Sequence, residues 1–242
     1  MIRHLLISAL ITLAIASPRD RAIAQMPDIP SAAIGAAKVG TGKLAPDGKT
    51  EVQCDLPDDQ QKRNIGSPRP NGAGCCVFRS IDHAARWACV PALYGMPEWM
   101  ADHKPVIPGG GYPEKVTSLI AKISKERNLP APDYLQVESA DLEVLKAACK
   151  SGRMCCVTYN YSPTPGRYGG HIAHMVNVVH ADDQWFCVLD NNYIGEKNLQ
   201  WMDPQTFKGV YTGGRGGKGW TVILMAAGPP PPPRNLIRSS PP

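Results

Sequence analysis

Apolar positions along the middle of the chain recur at two different spacings, and the change from one to the other divides it. Between residues 75 and 89, Val77, Phe78, Ile81, Ala84, Ala85 and Ala88 gather on one side of a helix turning about 100° per residue. This pattern predicts a helix that begins at Cys75 or Cys76, ends near Cys89 before Pro91, and has an alanine-lined face suited to close packing. A mixed stretch containing "GMPEWM" and "IPGGGYP" leads to "EKVTSLIAKISKERN", a second amphipathic helix with Val116, Leu119, Ile120 and Ile123 in one stripe. "YLQVES" reads as a strand. "DLEVLKAACKSG" reads as a third helix, capped by Asp141 or Ser139 and ended by Gly152. Beyond it the period shortens: "MCCVTYNY", "HIAHMVNVVHA", "QWFCVLD" and "GWTVILMAA" are strand-like, with Asp182-Asp183 as the turn between the middle pair. Helices first and an antiparallel sheet last imply an α+β fold.

The ends have a different composition. Arg3 and His4 precede the twelve-residue apolar run Leu5 to Ala16, too short to span a bilayer but suited to a signal-peptide core. Small-x-small sites follow at Ala14-Ile15-Ala16 and Ala22-Ile23-Ala24, and cleavage after Ala24 is preferred because Pro18 crowds the first site. Residues 1–24 are therefore expected to be a signal peptide and the protein to be exported, secreted or periplasmic, without stable membrane insertion. Residues 25–68, rich in Pro, Gly, Ala, Lys and Asp, read as a flexible lead-in that becomes ordered around Cys54. One domain is expected over 69–227, followed by a proline-rich tail at 228–242 that reads as a spacer.

Charge excludes one class of function. The formal net charge of +5 falls to about +3 once Arg3, Arg19, Arg21 and Asp20 leave with the signal. The remaining basic residues are scattered, so no nucleic-acid partner is indicated. Eight cysteines, at 54, 75, 76, 89, 149, 155, 156 and 187, suggest disulfide bonds in an oxidising compartment. A catalytic thiol would leave seven, so at least one more would stay free.

One constellation carries chemistry. A cysteine at a helix N-terminus has its thiolate stabilised by unpaired N–H groups and the helix dipole. A histidine beside it would complete the activation, and His174, mid-strand in "HMVNVV", is the strongest candidate. Asp190 in "VLDNN" ends the next strand, about as far from the turn at 182–183 as His174. The two are therefore expected to face each other across the hairpin, with Asn191 and Asn192 as substitutes if the register slips.

This order (a cysteine opening a helix, a later strand histidine, then an Asp or Asn closing the following strand) resembles that of the papain-like cysteine peptidases, over roughly Pro70 to Ala227. Members of that superfamily carry a glycine two residues before the nucleophile and a small residue four after it. For Cys76 these are Gly74 and Ser80; for Cys75 they would be Ala73 and Arg79, so the resemblance favours Cys76. Pro70 stands where the family has its oxyanion glutamine, and the adjacent Asn71 is the substitute amide donor. Val77 stands where an aromatic residue usually follows the nucleophile. Asp190 replaces the usual Asn, as in the bacteriocin-leader-processing peptidases. The resemblance implies a papain-like fold with the nucleophile helix packed on the sheet, a Cys76–His174–Asp190 triad acting through an acyl-enzyme, a peptide or protein substrate, and no metal or organic cofactor. A transamidase on the same site, or an inactive binding or scaffold domain with bridged cysteines, are the alternatives.

Other features have structural readings. His171 and His174, three apart on a strand, point to opposite faces and do not make a metal site. His180 is expected at the surface of a strand end, His83 on a solvated helix face, and the five tryptophans in the core. "GGRGGKG" at 213–219 lacks phosphate-loop spacing and precedes a strand.

Overall fold

The structure, a computed structural model, describes residues 39–66, 74–163, 168, 171–193, 195–213 and 216–229. The signal-peptide reading, most of the proline-rich tail and Asn71 fall outside the described residues. Among those described, no helix is long and apolar enough to cross a membrane.

The elements follow in the order β1 (Val39–Thr41), α1 (Cys76–Trp87), α2 (Met96–Asp102), α3 (Pro113–Glu126), β2 (Tyr134–Ser139), α4 (Glu143–Lys150), β3 (Cys155–Tyr161), β4 (His171–Ala181), β5 (Phe186–Leu189), β6 (Leu199–Met202), α5 (Pro204–Thr212) and β7 (Gly219–Leu224). Seven strands form one sheet in the order β1-β6-β5-β4-β3-β7-β2, and every neighbouring pair is antiparallel. The α+β class read from the periodicity is the class observed. The sheet, however, is not purely C-terminal, because β1 and β2 come from the N-terminal side and form its two edges.

Helices cover both faces. α1 and α3 pack through Phe78, Ile81, Ala85, Leu119 and Ile123 against Met175, Val179, Leu189 and Val222. On the opposite face α4 and α5 pack through Leu145, Phe207 and Tyr211 against Val157, Val176, Val178 and Ile223. This double cover explains why β3, β5, β6 and β7 are buried almost continuously instead of at alternate residues. α4 begins at Glu143 with Leu142 as its N-cap residue; Asp141 accepts the Glu143 N–H at 2.9 Å, whereas Ser139 accepts only the N–H of Asp141, at 2.9 Å, and does not cap the helix.

Several local readings are corrected by packing. The lead-in forms β1 on β6, and the Gln53 and Cys54 amides donate to Val179 O at 3.0 and 2.8 Å. His83 and His180 are buried, not surface residues. His83 Nε2 accepts the Lys62 amide at 2.9 Å, and His180 Nε2 meets Asp182 Oδ2 at 3.0 Å while lying against Trp201. All eight cysteines are free thiols in this structure. Six of them (Cys54, Cys75, Cys149, Cys155, Cys156 and Cys187) are fully enclosed, acting as small apolar side chains. Cys155 and Cys156 occupy opposite faces of β3, and both are core residues. Gly228, expected in the tail, donates to Gly152 O at 2.8 Å and packs on Trp87.

Candidate active site

The first turn of α1 is fixed from two sides before any catalytic group is considered. The Cys75 amide donates to Ile65 O at 3.1 Å, and the Gly110 amide donates to Gly74 O at 2.8 Å. Lys115 secures the second of these loops by donating to the carbonyls of Pro108, Gly109 and Gly110 at 2.6, 3.0 and 2.8 Å. Gly110 has φ +75°, and a Cβ on Gly111 would lie 2.7 Å from Val77, so glycine is required at 110 and 111 for the loop to reach the residue following Cys76. Cys76 is the first residue of the helix, as the glycine-rich entry suggested.

The helix is next clamped to β4. Ser80 Oγ donates to Met175 O at 3.1 Å, and Asn177 Nδ2 donates to Ser80 O at 2.9 Å. Asn191 is the centre of this contact: its Nδ2 lies 3.2 Å from Cys76 O, 3.0 Å from Ser80 Oγ and 2.9 Å from Met175 O. These bonds hold the start of α1 beside the residue that follows His174. The preference for a small polar residue at position 80 thus has a physical cause, since a larger side chain would part helix from strand.

The structure brings Cys76, His174 and Asp190 together. His174 Nε2 lies 2.9 Å from Asp190 Oδ1, and the same side chain hydrogen-bonds Cys76. The route differs from the expected one. The turn is wider than expected, since Ala181 pairs with Phe186, and that register alone would set Asn177 opposite Asp190; a bulge between Val178 and His180 moves the pairing back by one, so that Asn177 pairs with Leu189. The position opposite Asp190 is therefore 176, and His174 reaches the carboxylate diagonally. The extended ring makes that reach possible.

The environment separates the three groups electrostatically. Burial pushes the Cys76 thiol up, but the hydrogen bond and charge of His174, with the Met175 and Val77 amides, bring it below its ordinary value. Burial opposes protonation of His174, yet bonds to Asp190 and Cys76 push it up to about 9. Burial raises Asp190, and His174, the Asn192 amide and Tyr168 outweigh this and hold it below the usual carboxylate range. The neighbouring Cys75 behaves oppositely: burial, then the charge of Cys76, push it up. A thiolate–imidazolium pair is thus favoured at 76 and a neutral thiol at 75.

Two contributors had no sequence signal. Tyr168 donates its hydroxyl to both Asp190 oxygens, at 2.9 and 2.8 Å, and its ring lies 5.6 Å from that of His174. Asn64, in the lead-in, donates to Asn192 Oδ1 at 3.0 Å, and its amide donates to Asn191 O at 2.6 Å. The lead-in therefore forms one wall of the site. Beside Asp190 opens a cleft of about 540 Å³ lined by Arg63, Asn64, Gly66, Tyr168, Asn192 and Tyr193. No group of three or more potential metal ligands occurs among the described residues.

No protein-family model and no curated protein matches the chain. Among solved structures it is similar to a Bacillus anthracis protein provisionally described as a C39-like peptidase, with 12% identity, a TM-score of 0.43, and coverage of 74% of this chain and 98% of that one.

Proposed function

We propose that the protein is an exported cysteine peptidase of papain-like type, working through Cys76, His174 and Asp190. The observation that carries this reading is the linked chain from the Cys76 sulfur through the His174 ring to Asp190 Oδ1, in which the thiol is lowered and the imidazole raised. The Cys76 thiolate attacks the carbonyl carbon of a peptide bond, forming a C–S bond and an oxyanion. The backbone N–H of Cys76 at the α1 N-terminus and the side chain of Asn71 are the proposed oxyanion donors. His174 passes its proton to the leaving amine as the C–N bond breaks. It then takes a proton from water, which attacks the acyl-enzyme and releases the acid and the thiolate. Asp190 stays ionised, orienting and stabilising the imidazolium.

The test is reaction of the purified full chain with iodoacetamide at pH 6.5, with the labelled residue mapped by mass spectrometry, alongside hydrolysis of a quenched-fluorescent peptide pool. Cys76 is expected to label ahead of every other cysteine, and labelling to be slowed strongly in His174→Ala. Hydrolysis should fall by about a thousandfold or more in Cys76→Ala and survive in Cys75→Ala. Preferential labelling of Cys75, or hydrolysis unaffected by Cys76→Ala, would overturn the assignment.

A further inference from the structure

The cleft beside Asp190 has a chemistry of its own. Its lining residues Arg63, Asn64, Gly66, Tyr168, Asn192 and Tyr193 include one charged side chain, a cation, and no acid. Arg63 is solvent-exposed and takes part in no ion pair or hydrogen bond among the described residues. Elsewhere in the same N-terminal segment an exposed cation does find acids: Lys43 meets Asp55 at 3.0 Å and Asp58 at 3.8 Å. The nearest acid built into the site, Asp190, is already shared among His174, Tyr168 and the Asn192 amide. A guanidinium presents a planar fork of donors that matches a carboxylate. The walls suit an extended peptide rather than a compact ion: the rings of Tyr168 and Tyr193 meet edge to face at 5.6 Å, and Asn64 and Asn192 bring side-chain amides to the rim.

The cleft is also joined to the triad. Tyr168 and Asn192 both line it and both hydrogen-bond Asp190, so a segment seated there would lie next to the residues that hold His174. We propose that this cleft is a substrate subsite for a carboxylate, with Arg63 as the residue that selects it. The carboxylate could be an acidic side chain or a free chain terminus. As a substrate subsite the cleft rests on the peptidase reading; as a carboxylate-binding site it is independent of catalysis.

The experiment therefore measures binding, using full-chain Cys76→Ala protein and fluorescein-labelled alanine–glycine hexapeptides followed by anisotropy. One arm carries Glu or Gln at each position in turn with the C-terminus amidated. The other compares the free acid with the amide in peptides lacking Glu. Glu at one or two adjacent positions, or the free terminus, is expected to bind about tenfold more tightly than its neutral counterpart, the effect of one charge-assisted hydrogen bond. Added salt should reduce that preference, Arg63→Gln should abolish it, and Arg63→Lys should restore part of it. No acid preference in either arm, or a preference unchanged in Arg63→Gln, overturns the proposal. Because the protein measured has no Cys76 thiol, neither result depends on whether Cys76 is the nucleophile.

Discussion

Asp190 acts on the site through charge more than through shape. Its bond and negative charge are part of what holds the His174 imidazole protonated up to about pH 9. The pair that results gives kcat/KM a plateau ending as His174 loses its proton near that pH, because the leaving amine then lacks its acid. Asp190→Asn keeps a side-chain oxygen within reach of Nε2 but removes the charge. The imidazolium is then lost at lower pH, so the alkaline limb should move down by roughly one to two pH units. With less imidazolium beside it, less of Cys76 is ionised at neutral pH, and kcat/KM should fall about tenfold or more there. A pH profile of hydrolysis, with iodoacetamide labelling rates as the parallel readout, checks both. Tyr168 is a positioning residue in this scheme: its single hydroxyl proton, shared between the two Asp190 oxygens, holds the carboxylate in place beside the ring.

Between elements, the decisive contact is the polar seam of α1 and β4. Asn191 is 1% exposed, and its single amide nitrogen serves a helix carbonyl, a helix hydroxyl and a strand carbonyl. Asn191→Ala leaves those acceptors buried without their donor, so unfolding by urea should show a loss of about 2–3 kcal/mol. Activity measured well below the new midpoint should fall by more than the folded fraction does, since the seam also sets where Cys76 stands relative to His174. Sequence periodicity located α1, α3, α4, β2 through β5 and β7 because each has an apolar face long enough to repeat. It passed over β6 and α5, although Asp203-Pro204 is a helix start: Asp203 accepts the Thr206 amide at 2.9 Å and proline fills the first helical position. The cap was legible there, but the short helix that follows has too few turns to declare a stripe.

At the scale of the whole molecule, the N-terminal segment is built into the sheet and the candidate site. It donates an edge strand, a wall of the cleft through Arg63 and Asn64, and the Lys62 amide that bonds His83 on α1. Burial lowers His83 to about 4, so it folds as the neutral ring. The unfolded chain takes up its proton near pH 6.5, well before the folded one does. Stability is therefore complete above about pH 6.5 and is lost as pH falls towards 4, by at most about 3 kcal/mol from this group. Urea midpoints measured from pH 7 to 4.5 should decline accordingly, and His83→Gln should flatten the decline while lowering the midpoint at pH 7.

What the sequence by itself determined is what depends on neighbours along the chain. A glycine-led helix start placed the first helical residue at Cys75 or Cys76, strand periodicity placed His174, and the helix-then-strand order gave the α+β class. The tertiary structure decided what depends on register and on residues far apart in the chain. A turn wider than two residues displaced the β4–β5 pairing, and a single bulge shifted it back by one, which put His174 and Asp190 on one face in diagonal contact. Asn191, one position beyond its assigned role, became the clamp on α1, because alternate strand residues face opposite sides of the sheet. Tyr168 and Arg63 reached the site from loops without any periodic signal, and His83 and His180 were buried by segments remote in sequence. A repeat of hydrophobicity records which face of an element is covered; it carries no record of what covers it.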